Sequence, residues 1–109
     1  DTTRTVAIKS ADEEMKKVYD IVLKAQLAVL DSVKPGAKCS DVDKIARDII
    51  SENGYGKYFG HATGHGVGLD IHESPVVSPR SETILKKGMI NREYICRVNS
   101  VFALKICFA

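Results

Sequence analysis

Two amphipathic segments joined by a short Pro35–Gly36 turn restrict this chain more than any other feature. In the first, Met15, Val18, Val22, Ala25 and Val29 recur at helical spacing. Ser10 and Glu13 form an S-x-x-E capping box, and Asp12, Glu13 and Glu14 suit the positive end of a helix dipole. The pattern predicts a helix from Ala11 to Val33. A second helix starts at Ser40, with Asp43 in the matching box position. Val42, Ile45, Ala46, Ile49 and Ile50 supply its apolar face, and Asn53-Gly54 stops it. Helices tied this closely pack as a pair, and their shared apolar face needs a flat partner, a sheet.

Strand candidates flank the pair. Val6 and Ile8 alternate with Thr5 and Ala7 in a β-branched stretch, which predicts a strand over Thr2 to Ile8. Pro75 and Pro79 mark an extended loop, and Leu85 to Ile90 ends in a turn leading to a strand. The tail, Asn91 to Ala109, lacks glycine, ends in VFALKICFA and is expected to form strands around an Asn99-Ser100 turn. With 109 residues the chain has room for one domain.

Composition narrows the function classes. A net charge of +2, with basic and acidic residues intermixed, argues against nucleic acid as a partner. No apolar run approaches the roughly 20 residues that span a bilayer. Three widely spaced cysteines, Cys39, Cys96 and Cys107, form neither a disulfide framework nor a CxxC metal site. Reduced thiols in a cytoplasmic protein are the simple reading, with Cys39 as a packing residue. The chain starts at Asp1 without a methionine, as expected of a processed product or a cloned piece.

The chemistry concentrates between Phe59 and Glu73, in FGHATGHGVGLDIHE. His61, His65 and His72 are all the histidines of the chain, with Asp70 and Glu73 beside them. Histidine is the commonest metal ligand and carries protons near neutral pH. Incidental surface histidines would not need Gly60, Gly64, Gly66 and Gly68 around them, whereas a backbone folded close to a metal or substrate would. A closed zinc site calls for a second pair of Cys or His ligands that the H-x3-H-x6-H spacing does not supply. A helical HExxH protease is excluded, because Ala62 and Thr63 follow His61 where that motif needs a glutamate.

These residues, together with DTTRTVAI at the start, KPGAKCSDVDKIAR, YFGHATGHGVGLDIHESP and LKKGM, closely resemble the Xaa-Pro dipeptidases (prolidases). These are pita-bread metallopeptidases, related to aminopeptidase P and methionine aminopeptidase. The resemblance runs from Asp1 to about Ile90. It implies an α+β fold, roughly half of a pita-bread domain, with a curved antiparallel sheet backed by two helices. It implies residues 1–90 as a partial catalytic domain and 91–109 as a divergent tail. It also implies two divalent metal ions, drawn from manganese, cobalt or zinc, and a proline-containing peptide as substrate. In that family two aspartates, one histidine and two glutamates hold the metals. Asp1 matches the second aspartate and His65 the metal histidine, while His61 and His72 match the pair that contacts substrate. The plain alternative for Asp1 is a solvated terminus.

The departures carry equal information. The family's first metal aspartate falls upstream of Asp1. After Gly88-Met89 the family continues T-x-E-P-G, but this chain reads INREYICRV, with Tyr94 at the glutamate position and Glu93 one residue early. A one-residue slip turns a strand side chain to the other face. The last metal glutamate has no counterpart. A shifted reading frame would produce such a tail. The chain is therefore expected to be inactive alone, with no metal or only partial occupancy. A half sheet exposes edges and apolar surface, so self-association into a homo-oligomer is expected. The alternative function is a non-catalytic pita-bread binding module, although such a module would normally lose these histidines.

Overall fold

The computed structural model describes residues 5–70, 72–89, 91–95 and 106–107, the last two stretches as backbone only. Helix α1 spans Glu13–Ser32 and helix α2 spans Cys39–Glu52. Four strands follow: β1 Gly64–Gly66, β2 Glu73–Val77, β3 Asn91–Ile95 and β4 Ile106–Cys107. They form one antiparallel sheet in the order β2-β1-β3-β4. Helix α2 lies against β2 and α1 reaches β3, so the helix pair backs the sheet. This is the α+β arrangement expected.

The interior is built where the helical periodicity placed it. Val18, Ile21, Val22, Ala25 and Val29 of α1 meet Cys39, Val42, Ala46 and Ile50 of α2, with Phe59, Val77 and Leu85 closing the cluster. Met15, Ile45 and Ile49, also assigned to the apolar faces, are half-buried, and the two isoleucines pack against the cluster. The turn between the helices is held from outside. Gly36 N–H donates to the Leu85 carbonyl at 2.8 Å, Leu85 N–H to that of Ala37 at 2.8 Å, and Cys39 N–H to that of Thr83 at 2.9 Å. These bonds pull Leu85 into the core. The last of them also satisfies one of the amide donors that the start of a helix leaves open.

Both caps differ from expectation. Helix α1 is capped by Asp12, whose Oδ1 accepts from Met15 N–H at 2.7 Å, and not by Ser10. The Ser10 box is one residue pair too early, because Asp12 offers the same geometry next to the first apolar turn. Asp12→Ala should cost about 1 kcal/mol of stability in a denaturant titration. Helix α2 has no side-chain cap, and Asp43 is turned inward to another task. Its C-terminus is as expected: Asn53 ends it, and Gly54 follows at φ +87°, the left-handed geometry that favours glycine.

The first expected strand is not seen in its described part. Residues 5–8 take no strand conformation, and Val6 and Ile8 are 79% and 88% exposed. The strand order of the sheet does not include this segment. Pro75, expected in a loop, lies instead inside β2. The sheet order explains its tolerance there: β2 is an edge strand, where a residue without an N–H can be accommodated. The tail does form strands. β3 and β4 pair with Tyr94 opposite Cys107 and Ile95 opposite Ile106, while the Asn99-Ser100 turn lies outside the described residues.

Candidate functional site

The three histidines sit on three different supports. His65 is the middle residue of β1, between Gly64 and Gly66, and is buried at 8% exposure. His72 lies just before β2 and is exposed. The β1–β2 pairing brings their rings to 4.7 Å between centroids, edge to face at 62°. His61 precedes β1 in an irregular segment, and its ring meets Phe59 edge-on at 4.9 Å and 76°. Asp1 lies outside the described residues.

Two glycines let this layout close. The β1–β2 register breaks between His65 and Gly66, so that Gly66 faces Glu73. A Cβ on Gly66 would stand 2.2 Å from the Ser74 carbonyl oxygen, so only glycine lets the strands approach this far. Glu73 then folds back over the loop. Its Oε1 accepts from Asp70 N–H at 2.9 Å, and its carboxylate occupies the space that a Cβ on Gly68 would enter. The loop carrying His72 is thereby tied to the start of β2.

The ring nitrogens have assigned roles. His65 Nδ1 lies 2.7 Å from the Gly66 carbonyl oxygen and His61 Nδ1 lies 2.8 Å from that of Ala62. A carbonyl only accepts, so each Nδ1 donates. In the neutral ring this leaves the lone pair on Nε2. His61 Nε2 is buried and has no hydrogen-bond partner among the described residues.

Sequence reading missed the groups that hold the segment from below. Arg47, half-buried on α2, stacks its guanidinium over Phe59 at 4.4 Å. It donates to the Phe59 carbonyl at 2.8 Å and to the His61 carbonyl at 3.0 Å. Its Nε and one terminal nitrogen grip Asp43 at 2.8 and 3.1 Å. Asp43 is fully buried, and it also accepts from the Thr63 hydroxyl at 2.7 Å. A signal for this existed. Cys39, Asp43, Ala46 and Ile50 fall on one helical stripe, so a carboxylate at Asp43 points at the core, where a charge needs a partner. Arg47, one turn on, is that partner.

The described donors do not fit a two-metal centre. Residues able to ligate a metal do not gather in any group of three or more among the described residues. His65 offers an oriented imidazole, but among the described residues no carboxylates gather beside it to bridge two divalent ions. An open depression of about 360 Å³, lined by Val67, Ser74, Pro75, Thr83, Gly88 and Met89, borders the same loop and has no histidine in its wall. Cys39 is inert by environment: burial pushes its thiol pKa up, with a hydrogen bond to Ser81 partly opposing. Iodoacetamide at mildly alkaline pH should leave the Cys39 peptide unmodified in the folded chain and label it fully in denaturant. Equal labelling in both conditions would contradict this burial.

Comparison with known proteins agrees with the fold. The sequence profile of metallopeptidase family M24 matches residues 1–92. The Xaa-Pro dipeptidase of Pyrococcus horikoshii is 51% identical over 90 residues, covering 83% of this chain and 26% of that protein. The prolidase structure from Pyrococcus furiosus superposes with a TM-score of 0.81 at 47% identity, covering 84% of this chain and 27% of that one. That of the recombinant prolidase from Thermococcus sibiricus gives 0.84 at 43% identity, covering 96% of this chain and 28% of that one. The chain belongs to metallopeptidase family M24. It spans about a quarter of the length of the curated relatives it matches.

Proposed function

We propose that this chain carries the histidine-bearing part of an active site that hydrolyses Xaa-Pro bonds in dipeptides or short peptides, and that it is inactive by itself. The observation that supports the reading most is the pairing of His65 and His72 at 4.7 Å across β1 and β2, in a chain half identical to Xaa-Pro dipeptidases. In a complete protein, divalent metal ions would supply a nucleophilic water at neutral pH. The residues here would take supporting parts. His65, and Asp1 if it is brought near, would contribute to the metal donors. His72, exposed and close to His65, would donate a hydrogen bond to charge developing on the peptide carbonyl. His61 would border the proline side of the bond.

The donor set supports the proposed inactivity. Among the described residues one imidazole, even with Asp1 brought near, does not hold two ions whose charges need bridging carboxylates. Purified chain given manganese and an Xaa-Pro dipeptide should release no proline above a buffer blank. Release at rates near those of an intact prolidase would overturn the proposed inactivity. Residues 91–109 are read as a tail from a shifted frame, and the coding DNA around the Ile90 codon tests that directly. Recovery of T-x-E-P-G in another frame supports it, and a single frame in which the family pattern never appears contradicts it.

Self-association remains part of the proposal. Val6, Ile8 and Leu69 are among the large apolar side chains left exposed. Light scattering at high protein concentration should give a mass above one chain, whereas a monomer throughout would count against it. No helix among the described residues is long and apolar enough to cross a membrane. A cytoplasmic setting is proposed on the reduced state expected of the thiols.

A further inference from the structure

We infer that Arg47, Asp43 and Thr63 are positioning residues that select the tautomer of His61. One peptide plane links these residues to the ring. Thr63 is anchored twice, its N–H donating to the Val77 carbonyl at 2.8 Å and its hydroxyl to Asp43 at 2.7 Å. In a trans peptide the N–H of Thr63 and the carbonyl of Ala62 point in opposite directions. Fixing the N–H on β2 therefore aims the Ala62 carbonyl back at the His61 ring, where Nδ1 meets it at 2.8 Å. The preceding peptide is fixed as well, because Arg47 holds the His61 carbonyl at 3.0 Å and the Phe59 carbonyl at 2.8 Å. Phe59, under the guanidinium at 4.4 Å, meets the His61 ring edge to face at 4.9 Å.

The consequence is chemical. Histidine side chains free in water favour the form with hydrogen on Nε2. Here Nδ1 must carry the hydrogen, which leaves a buried acceptor at Nε2 that nothing among the described residues uses. That acceptor suits a donor brought by a ligand, such as an amide N–H or a protonated amine. Helix α2 thus does more than fill the core: it sets which hydrogen bond His61 can make. The role in peptide hydrolysis rests on the function proposed above, but the control of the ring does not.

The test needs neither substrate nor metal. Long-range proton–nitrogen NMR on the 15N-labelled 109-residue chain reads each imidazole's hydrogen position. The wild type should show His61 with hydrogen on Nδ1. Arg47→Lys keeps the charge but loses the fork, and Thr63→Val keeps the volume but loses the hydroxyl. Both should shift His61 to a mixture in which the Nε2–H form is the larger part, and His65 should stay as it was. Thr63→Ser should restore the wild-type His61 signal. If Arg47→Lys does not fold, the Thr63 pair decides alone. A His61 signal that is unchanged in Thr63→Val, or one that Thr63→Ser fails to restore, overturns the inference. So does a wild type with hydrogen on Nε2. Because no turnover is measured, a failure here is separate from a failure of the Xaa-Pro reading.

Discussion

Arg47→Met should lower the folding stability of this chain by about 3 kcal/mol, seen as a large drop in the urea midpoint. Asp43 is fully buried, and Arg47 is the cation bonded to it. Removing the guanidinium leaves a carboxylate without its counter-charge inside the helix–sheet interface, and two carbonyls, of Phe59 and His61, without their donor. Desolvation of the orphaned charge dominates this cost. Asp43→Asn combined with Arg47→Met should therefore be more stable than the two single effects added together, since the charge is gone in the double variant. A loss below about 1 kcal/mol for Arg47→Met would place this pair with ordinary surface ion pairs.

The second large effect belongs to Gly66. An alanine Cβ would lie 2.2 Å from the Ser74 carbonyl oxygen and 2.7 Å from its carbon, both backbone atoms of the neighbouring strand. Neither can move without opening the β1–β2 pairing that brings His65 to His72. Gly66→Ala should cost about 3 kcal/mol. Gly68→Ala provides the contrast. The atoms nearest its Cβ would be those of the Glu73 carboxylate, at 2.0 Å, and that side chain can swing away at the cost of one hydrogen bond to Asp70 N–H. About 1 kcal/mol is expected there. Equal losses for the two variants, measured by denaturant titration, would contradict the close approach of β1 and β2.

These two predictions mark where the sequence was readable and where it was not. The helix pair was legible because Val18, Val22, Ala25 and Val29, then Val42, Ala46 and Ile50, repeat at the helical period, and they are the buried residues. The sheet was less so. β1 is only three residues long and consists of Gly, His and Gly, with no β-branched pattern to announce it. Its strand character comes from neighbours on both sides, which a single segment does not encode. Pro75 read as a loop residue because edge position is a property of the whole sheet.

Within the site, the glycines around His65 signalled close backbone approach, and Gly66 meets that description. The Asp43–Arg47 clamp was missed for a specific reason. Asp43 three residues beyond Ser40 imitates a capping box, and that local reading concealed a tertiary one. A carboxylate on the same stripe as Cys39, Ala46 and Ile50 is better explained by a buried cation than by a cap.

On the function proposed above, this M24 chain holds histidines of a peptidase site without, among the described residues, the donors of a two-metal centre. Elemental analysis tests it most directly. The chain is incubated with manganese, passed through a desalting column and measured for metal per chain. Well under one manganese per chain is the predicted result. Two manganese ions retained per chain would contradict it.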